Sequence, residues 1–133
     1  FSWTPISTPK TMPAPVDGVM VDTEGEMIFV YETKCRDIDL HQLREWGAYL
    51  ITYDKIERGI SICRSLGIDF RGFLYLVPEQ ILMIVKIWDY KTREDCIMKI
   101  EETRTQATVN GGSIVRLNAY VDVSNGTVIR EEN

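Results

Sequence analysis

Apolar positions along the chain change period several times, and each change marks an element. Residues 16–21 alternate apolar side chains with Asp17 and Gly18. The stretch Thr23-Glu24-Gly25-Glu26 then offers a turn, and residues 27–35 are rich in β-branched and aromatic types. Together these predict a β-hairpin. Asp37 or Asp39 is placed to cap a helix beginning near Leu40, and apolar residues recur at Leu40, Leu43, Gly47, Leu50, Ile56, Ile60, Cys63 and Leu66 before Gly67. That spacing predicts one long helix with weak points at Gly47 and Gly59, or two helices. Residues 70–77 and 81–88, joined by Pro78-Glu79-Gln80, are apolar on both faces, as strands buried between layers are. Beyond a polar stretch at 89–95 the signals weaken. Residues 96–105 are weakly periodic, short strand signals fall at 113–117, 120–123 and 127–130, and Asn110-Gly111-Gly112 and Asn125-Gly126 read as turns. Four of the five prolines (Pro5, Pro9, Pro13, Pro15) lie in residues 1–15, so the start of the chain reads as an extended arm lying across a single domain at 16–133. The class is α/β (α+β): hairpin, long helix, two buried strands and a β-rich tail.

At 133 residues, 44% hydrophobic and 26% charged, the chain has the profile of one globular domain that needs neither disulfides nor metal for stability. Its three cysteines, Cys35, Cys63 and Cys96, are odd in number and lack close pairing, which predicts buried thiols in a reducing cytoplasm, microbial or viral. The longest clean apolar run, residues 81–85, stops at Lys86, too short to span a bilayer. A start at Phe1, without a basic segment leading into an apolar one, suggests a trimmed chain lacking a secretory signal. The net charge of -5 argues against a protein that coats nucleic acid by charge alone. Residues 1–29 (one Lys, four acids) and 101–133 (three Arg, five acids) carry that whole excess, so the middle of the chain is balanced. A nuclease remains open to such a chain, because bound cations reverse the local sign.

Asp17 and the triplet Glu32-Thr33-Lys34 are the informative residues. A two-residue turn at Glu24-Gly25 pairs positions summing to 49, which sets Asp17 opposite Glu32, Val19 opposite Val30 and Val21 opposite Ile28. Because strand side chains alternate, Asp17, Glu32 and Lys34 then share one face. Carboxylate oxygens are the ligands Mg²⁺ prefers, and Lys34 beside them could orient a water or stabilise a phosphoryl transition state. The alternative is a solvated cross-strand ion cluster. Asp89-Tyr90-Lys91, with Asp69 upstream, is a second acid-x-Lys triplet. His41, the only histidine, reads as exposed and acid-paired, which leaves a histidine-based triad or metal site without support. No glycine-rich phosphate loop is present. Trp3, Trp46 and Trp88 read as packing residues; Lys55 and Arg58, with Tyr53, either contact a phosphate backbone or form a solvated helix face.

Asp17 followed by Glu32-Thr33-Lys34 on a hairpin, then a helix and two buried strands, resembles the PD-(D/E)XK nuclease superfamily over residues 13–88. That superfamily includes restriction endonucleases, Holliday-junction resolvases and phage-type recombination exonucleases. The resemblance implies a restriction-endonuclease-like mixed sheet flanked by helices and Mg²⁺-dependent phosphodiester hydrolysis of DNA, with Mn²⁺ as a substitute. It implies that Asp17 and Glu32 bind the metal together with the Thr33 carbonyl, that Lys34 is the catalytic lysine, and that Gln42 supports the site; Lys55 and Arg58 are the further substrate-binding candidates from the helix face itself. The proline-rich start leaves no room for the usual N-terminal helix, so a homodimer or higher homo-oligomer is expected to cover the sheet. A non-catalytic module of the same fold, serving subunit association or nucleic-acid binding, is the alternative; an unrelated α+β domain binding a small ligand is a third.

Overall fold

The computed structural model describes residues 3–8, 16–104 and 115–130. The first strand, β1 (Thr4–Ser7), is an edge strand paired antiparallel with β2 (Gly18–Val21). An edge position tolerates Pro5, since its missing N–H can face away from the ladder; Pro9, Pro13 and Pro15 lie outside the described residues. β2 pairs antiparallel with β3 (Met27–Arg36), and Gly18–Tyr31, Val19–Val30 and Met20–Phe29 follow the predicted sum of 49. The register then shifts, so that Val21 faces Met27 instead of Ile28. Turn chemistry explains this correction. The Asp22 N–H donates to the Glu26 carbonyl, and Gly25 adopts φ 81, so the connection has three residues with a left-handed glycine.

The larger correction concerns residues 40–66, predicted as one or two helices. Asp39 caps α1 (Leu40–Trp46) by accepting the Gln42 N–H at 2.8 Å, and Gly47, at φ 75, ends it. The next five residues form the strand β4 (Ala48–Thr52), after which α2 (Tyr53–Leu66) runs to Gly67. Gly59 is therefore no break. It lies inside α2 against the Phe70 ring, where any Cβ would collide.

The α1–β4–α2 crossover returns the chain to β5 (Asp69–Leu76), parallel to β3, and β6 (Ile81–Trp88) pairs antiparallel with β5. β7 (Met98–Arg104) falls in the weakly periodic stretch. The two signals at 113–117 and 120–123 belong to one strand, β8 (Val115–Asp122), while residues 113–114 and the turn at 110–112 lie outside the described residues. β9 (Thr127–Arg130) is where the pattern put it. The result is α+β, with a mixed sheet ordered β1-β2-β3-β5-β6-β9 and a second sheet ordered β4-β8-β7.

Both helices and the second sheet pack on one face of the large sheet. There Val30, Phe70, Leu74, Met83, Val85 and Ile87 meet Leu43, Tyr49, Ile51, Ile56, Ala119 and Val121 in the main core. Within the chain only one face of these strands is fully covered: Phe70, Gly72, Leu74 and Leu76 are buried, whereas Arg71, Phe73 and Tyr75 are half-exposed. On that second face a smaller cluster of Met20, Phe29 and Tyr31 packs with Trp3 and Phe73, the Tyr31 and Phe73 rings stacking at 5.1 Å. Two further expectations need correcting. Cys63 alone is buried, with Cys96 half-exposed and Cys35 exposed, because β3 turns Cys35 to the open face. Trp46, at the end of a short helix, is 61% exposed instead of packed. Among the described residues no helix is long and apolar enough to cross a membrane.

Candidate active site

Asp17 stands one residue before β2, past the last register pair Gly18–Tyr31, so the expected strand pair of Asp17 with Glu32 is not formed. The Asp17 N–H donates to the Tyr31 carbonyl at 3.2 Å, and its Oδ2 accepts the Thr33 N–H at 2.6 Å. The carboxylate thus takes the place a strand partner would have held. In an extended strand the N–H and C=O of one residue leave on the same side, so the Thr33 carbonyl also points toward Asp17 and away from β5. A carboxylate and a peptide oxygen are thereby gathered at the edge where β2 gives out.

Glu32 is the most unusual residue of the molecule. Its side chain turns into the main-core face and is 1% exposed, in a position where an ionised carboxylate is costly unless paired. Lys55, from the first turn of α2, supplies that pairing with Nζ at 2.9 Å from Oε1, while Lys34 Nζ stands 4.0 Å from the same oxygen. Burial raises the Glu32 pKa, the Lys55 hydrogen bond opposes the rise, and the Asp17 charge adds to it. Lys34 is pushed the other way, its pKa lowered first by burial and then by the neighbouring Lys55 charge. Lys55 is raised, chiefly by its bond to Glu32. Two carboxylates and two ammonium groups therefore act on one another across β3 and α2.

Beneath them lies a second feature. Gly72 is the register partner of Glu32 on β5, and the Tyr49 hydroxyl occupies the space a side chain there would fill. That hydroxyl is buried and has no hydrogen-bond partner among the described residues, and burial, with a contribution from the Glu32 charge, raises its pKa. The upper side is open: a groove of about 550 Å³ runs past Lys55, lined by Thr52, Tyr53, Asp54, Glu57, Arg116 and Leu117. Another of about 300 Å³ reaches Asp17 between Thr8 and Thr33.

A scan against protein-family models and searches of curated proteins and of solved structures found no match. The site's own chemistry therefore carries the functional reading. Among the described residues no three His, Cys, Asp or Glu side chains come together, so a soft or histidine-bound metal finds no ligand set. Two carboxylates with a peptide carbonyl are instead the hard oxygen donors that suit Mg²⁺, an ion that keeps several waters and needs few protein ligands. By type these donors are ones Mg²⁺ takes, but Lys55 already occupies Glu32 Oε1.

Not every predicted site residue is gathered here. Gln42 sits in the first turn of α1, its N–H bonded to Asp39, and its side chain forms no hydrogen bond with Asp17, Glu32 or Lys34. Arg58 turns to solvent and pairs with Asp54 at 3.1 Å. The second acid-x-Lys triplet is a turn: Asp89 accepts the Lys91 and Thr92 N–H groups and the Lys86 ammonium at 2.9 Å, which lowers its pKa to about 2. His41 is exposed and pairs with Glu45 at 3.2 Å, acid-bound as expected but by a different acid. Tyr49 and Gly72 went unnoticed in the sequence, although a glycine inside an apolar strand is itself a sign of close approach.

Proposed function

We propose that this chain is a Mg²⁺-dependent nuclease of PD-(D/E)XK type that hydrolyses DNA phosphodiester bonds, with a restriction-endonuclease-like core in β2, β3, α2 and β5. The observation that carries the reading is Glu32, a carboxylate buried at 1% exposure, set between two lysines and within electrostatic reach of Asp17. A purely structural role explains it poorly, since an apolar residue of similar size there is as stable or more so. Asp17, Glu32 and the Thr33 carbonyl would hold the cation, which supplies a polarised water and screens charge on the phosphate. Lys34 adds a positive charge where the attacked phosphoryl group gathers negative charge. Lys55 holds the DNA backbone from the groove side; Arg58 and Gln42 stand farther out, on α2 and α1.

Cleavage of a mixed panel of duplex, single-stranded and branched DNA tests this, with Mg²⁺, with Mn²⁺ and with chelator. Cleavage that needs the cation is expected, together with a rise in melting temperature on adding Mn²⁺ by mass action. Absence of both overturns the assignment. That outcome would favour a non-catalytic module of the same fold, a reading supported by the Lys55 contact that already neutralises Glu32.

Self-association belongs to the same proposal. On the face away from the helices, Phe73, Tyr75, Leu82 and Ile84 are only half-buried, and a second copy is expected to cover them. Light scattering is expected to give a dimer or larger species, and a monomer at micromolar concentration counts against it.

A further inference from the structure

Charge balance in the site sets a condition on metal binding. Asp17 and Glu32 contribute two negative charges, and Lys34 and Lys55 two positive ones, so the free site is neutral. A divalent cation entering alone leaves two positive charges uncompensated beside two lysines, in a partly desolvated place where such repulsion is strong. It also meets a ligand already taken, because Lys55 Nζ holds Glu32 Oε1 at 2.9 Å. The two lysines differ in freedom. Lys34 is fixed on β3 with its side chain 24% exposed, whereas Lys55 is 40% exposed and lies along the groove that Arg116 and Tyr53 line. Its flexible four-carbon stem allows the ammonium group to swing from Glu32 toward that groove. A DNA phosphate lying there offers Lys55 an anionic oxygen in exchange for the carboxylate, and brings the negative charge that the cation lacks.

We propose that Lys55 is a latch that makes metal binding depend on DNA: it is bonded to Glu32 in the free protein, transfers to a DNA phosphate, and so releases Glu32 Oε1 to the cation. This deepens the nuclease reading and rests on it. Linkage then requires the converse, that the cation tightens DNA binding by the same factor as DNA tightens cation binding.

Calorimetric titration of Mn²⁺ into the whole chain tests the latch. It is done in mildly alkaline buffer, alone and with a short phosphorothioate DNA duplex carrying a single-stranded tail, and repeated with an uncharged methylphosphonate duplex of the same sequence. The phosphorothioate duplex is expected to tighten Mn²⁺ about tenfold, within the usual range of site-to-site coupling, and the methylphosphonate duplex to leave it unchanged. Lys55→Ala is expected to bind Mn²⁺ alone about as tightly as the parent does with DNA, and to lose the response to the duplex. Lys55→Arg keeps the charge and is expected to keep the response, which guards against a folding defect in the alanine variant. Equal Mn²⁺ affinity with and without phosphorothioate DNA in the parent overturns the latch. So does a Lys55→Ala chain that binds Mn²⁺ no better than the parent while still responding to DNA. If the parent cleaves DNA with Mn²⁺ but shows no coupling, the latch alone falls; if it binds no Mn²⁺ under either condition, the nuclease reading falls with it.

Discussion

Glu32→Gln is expected to abolish DNA cleavage while leaving the protein as stable as the parent or more so at neutral pH. Loss of a cation ligand removes several kcal/mol of transition-state stabilisation, and each ~1.4 kcal/mol is a factor of ten, so a fall of at least about a thousandfold is expected. The stability half follows from the direction of the pKa. Burial raises the Glu32 pKa above its ordinary value of 4.5 in spite of Lys55, so the folded chain holds that proton more tightly than the unfolded one. Stability then declines as pH rises from the unfolded value through the folded one, and the decline is complete above it. Gln carries no charge and removes it. Its amide oxygen still accepts from Lys55, which is partly exposed and needs no counter-charge to remain hydrated. Melting curves from mildly acidic to mildly alkaline buffer are expected to be flatter for Glu32→Gln than for the parent. A large drop in melting temperature at neutral pH would make Glu32 a structural ion-pair member and remove the main support for the site. Asp17→Asn is expected to behave alike in cleavage, because Asn retains an oxygen for the Thr33 N–H but supplies no charge to a cation.

Lys34→Ala separates catalysis from cation binding. An ammonium group beside two carboxylates opposes a divalent cation, so its removal is expected to keep or slightly strengthen Mn²⁺ affinity. Cleavage is expected to fall by about 10²–10³, the usual cost of deleting one group aimed at developing charge. Calorimetry and the DNA panel, applied to the same preparation, read both quantities. The variant also distinguishes the two lysines: Lys34→Ala should still tighten its grip on Mn²⁺ when DNA is added, whereas Lys55→Ala should not. If Lys34→Ala cleaves as well as the parent, the chemistry does not occur at this site. The other acid-x-Lys triplet offers little refuge, since Asp89 is committed to its own turn and to Lys86.

Much of the candidate site was legible in the sequence because its key spacing is local. Asp17 and Glu32 lie on one hairpin, where alternation and a single glycine turn nearly determine who faces whom. The error of one residue beyond Met20 came from turn length. At the other end Asp17 falls outside the strand and reaches β3 through the Tyr31 carbonyl and the Thr33 N–H, not as the strand partner of Glu32. The helix caps at Asp39, Gly47 and Gly67 are likewise local, written in residues whose side chains or φ preferences act within one turn.

Strand β4 was not legible, and the reason is physical. Leu40, Leu43, Gly47 and Leu50 fit a helical period, while Tyr49 and Ile51 fit a strand period over the same few residues. Only pairing with β8, about seventy residues onward, chooses the strand. That choice then fixes where α2 begins, and hence that Lys55 reaches Glu32 across 23 residues of sequence. The Tyr49 hydroxyl over Gly72 depends on the same packing. Sequence by itself determined the hairpin, its acids and the α+β class, since periodicity and turn chemistry act between near neighbours. Tertiary structure alone decided which cation meets the buried carboxylate, because that contact exists only once the second sheet has docked.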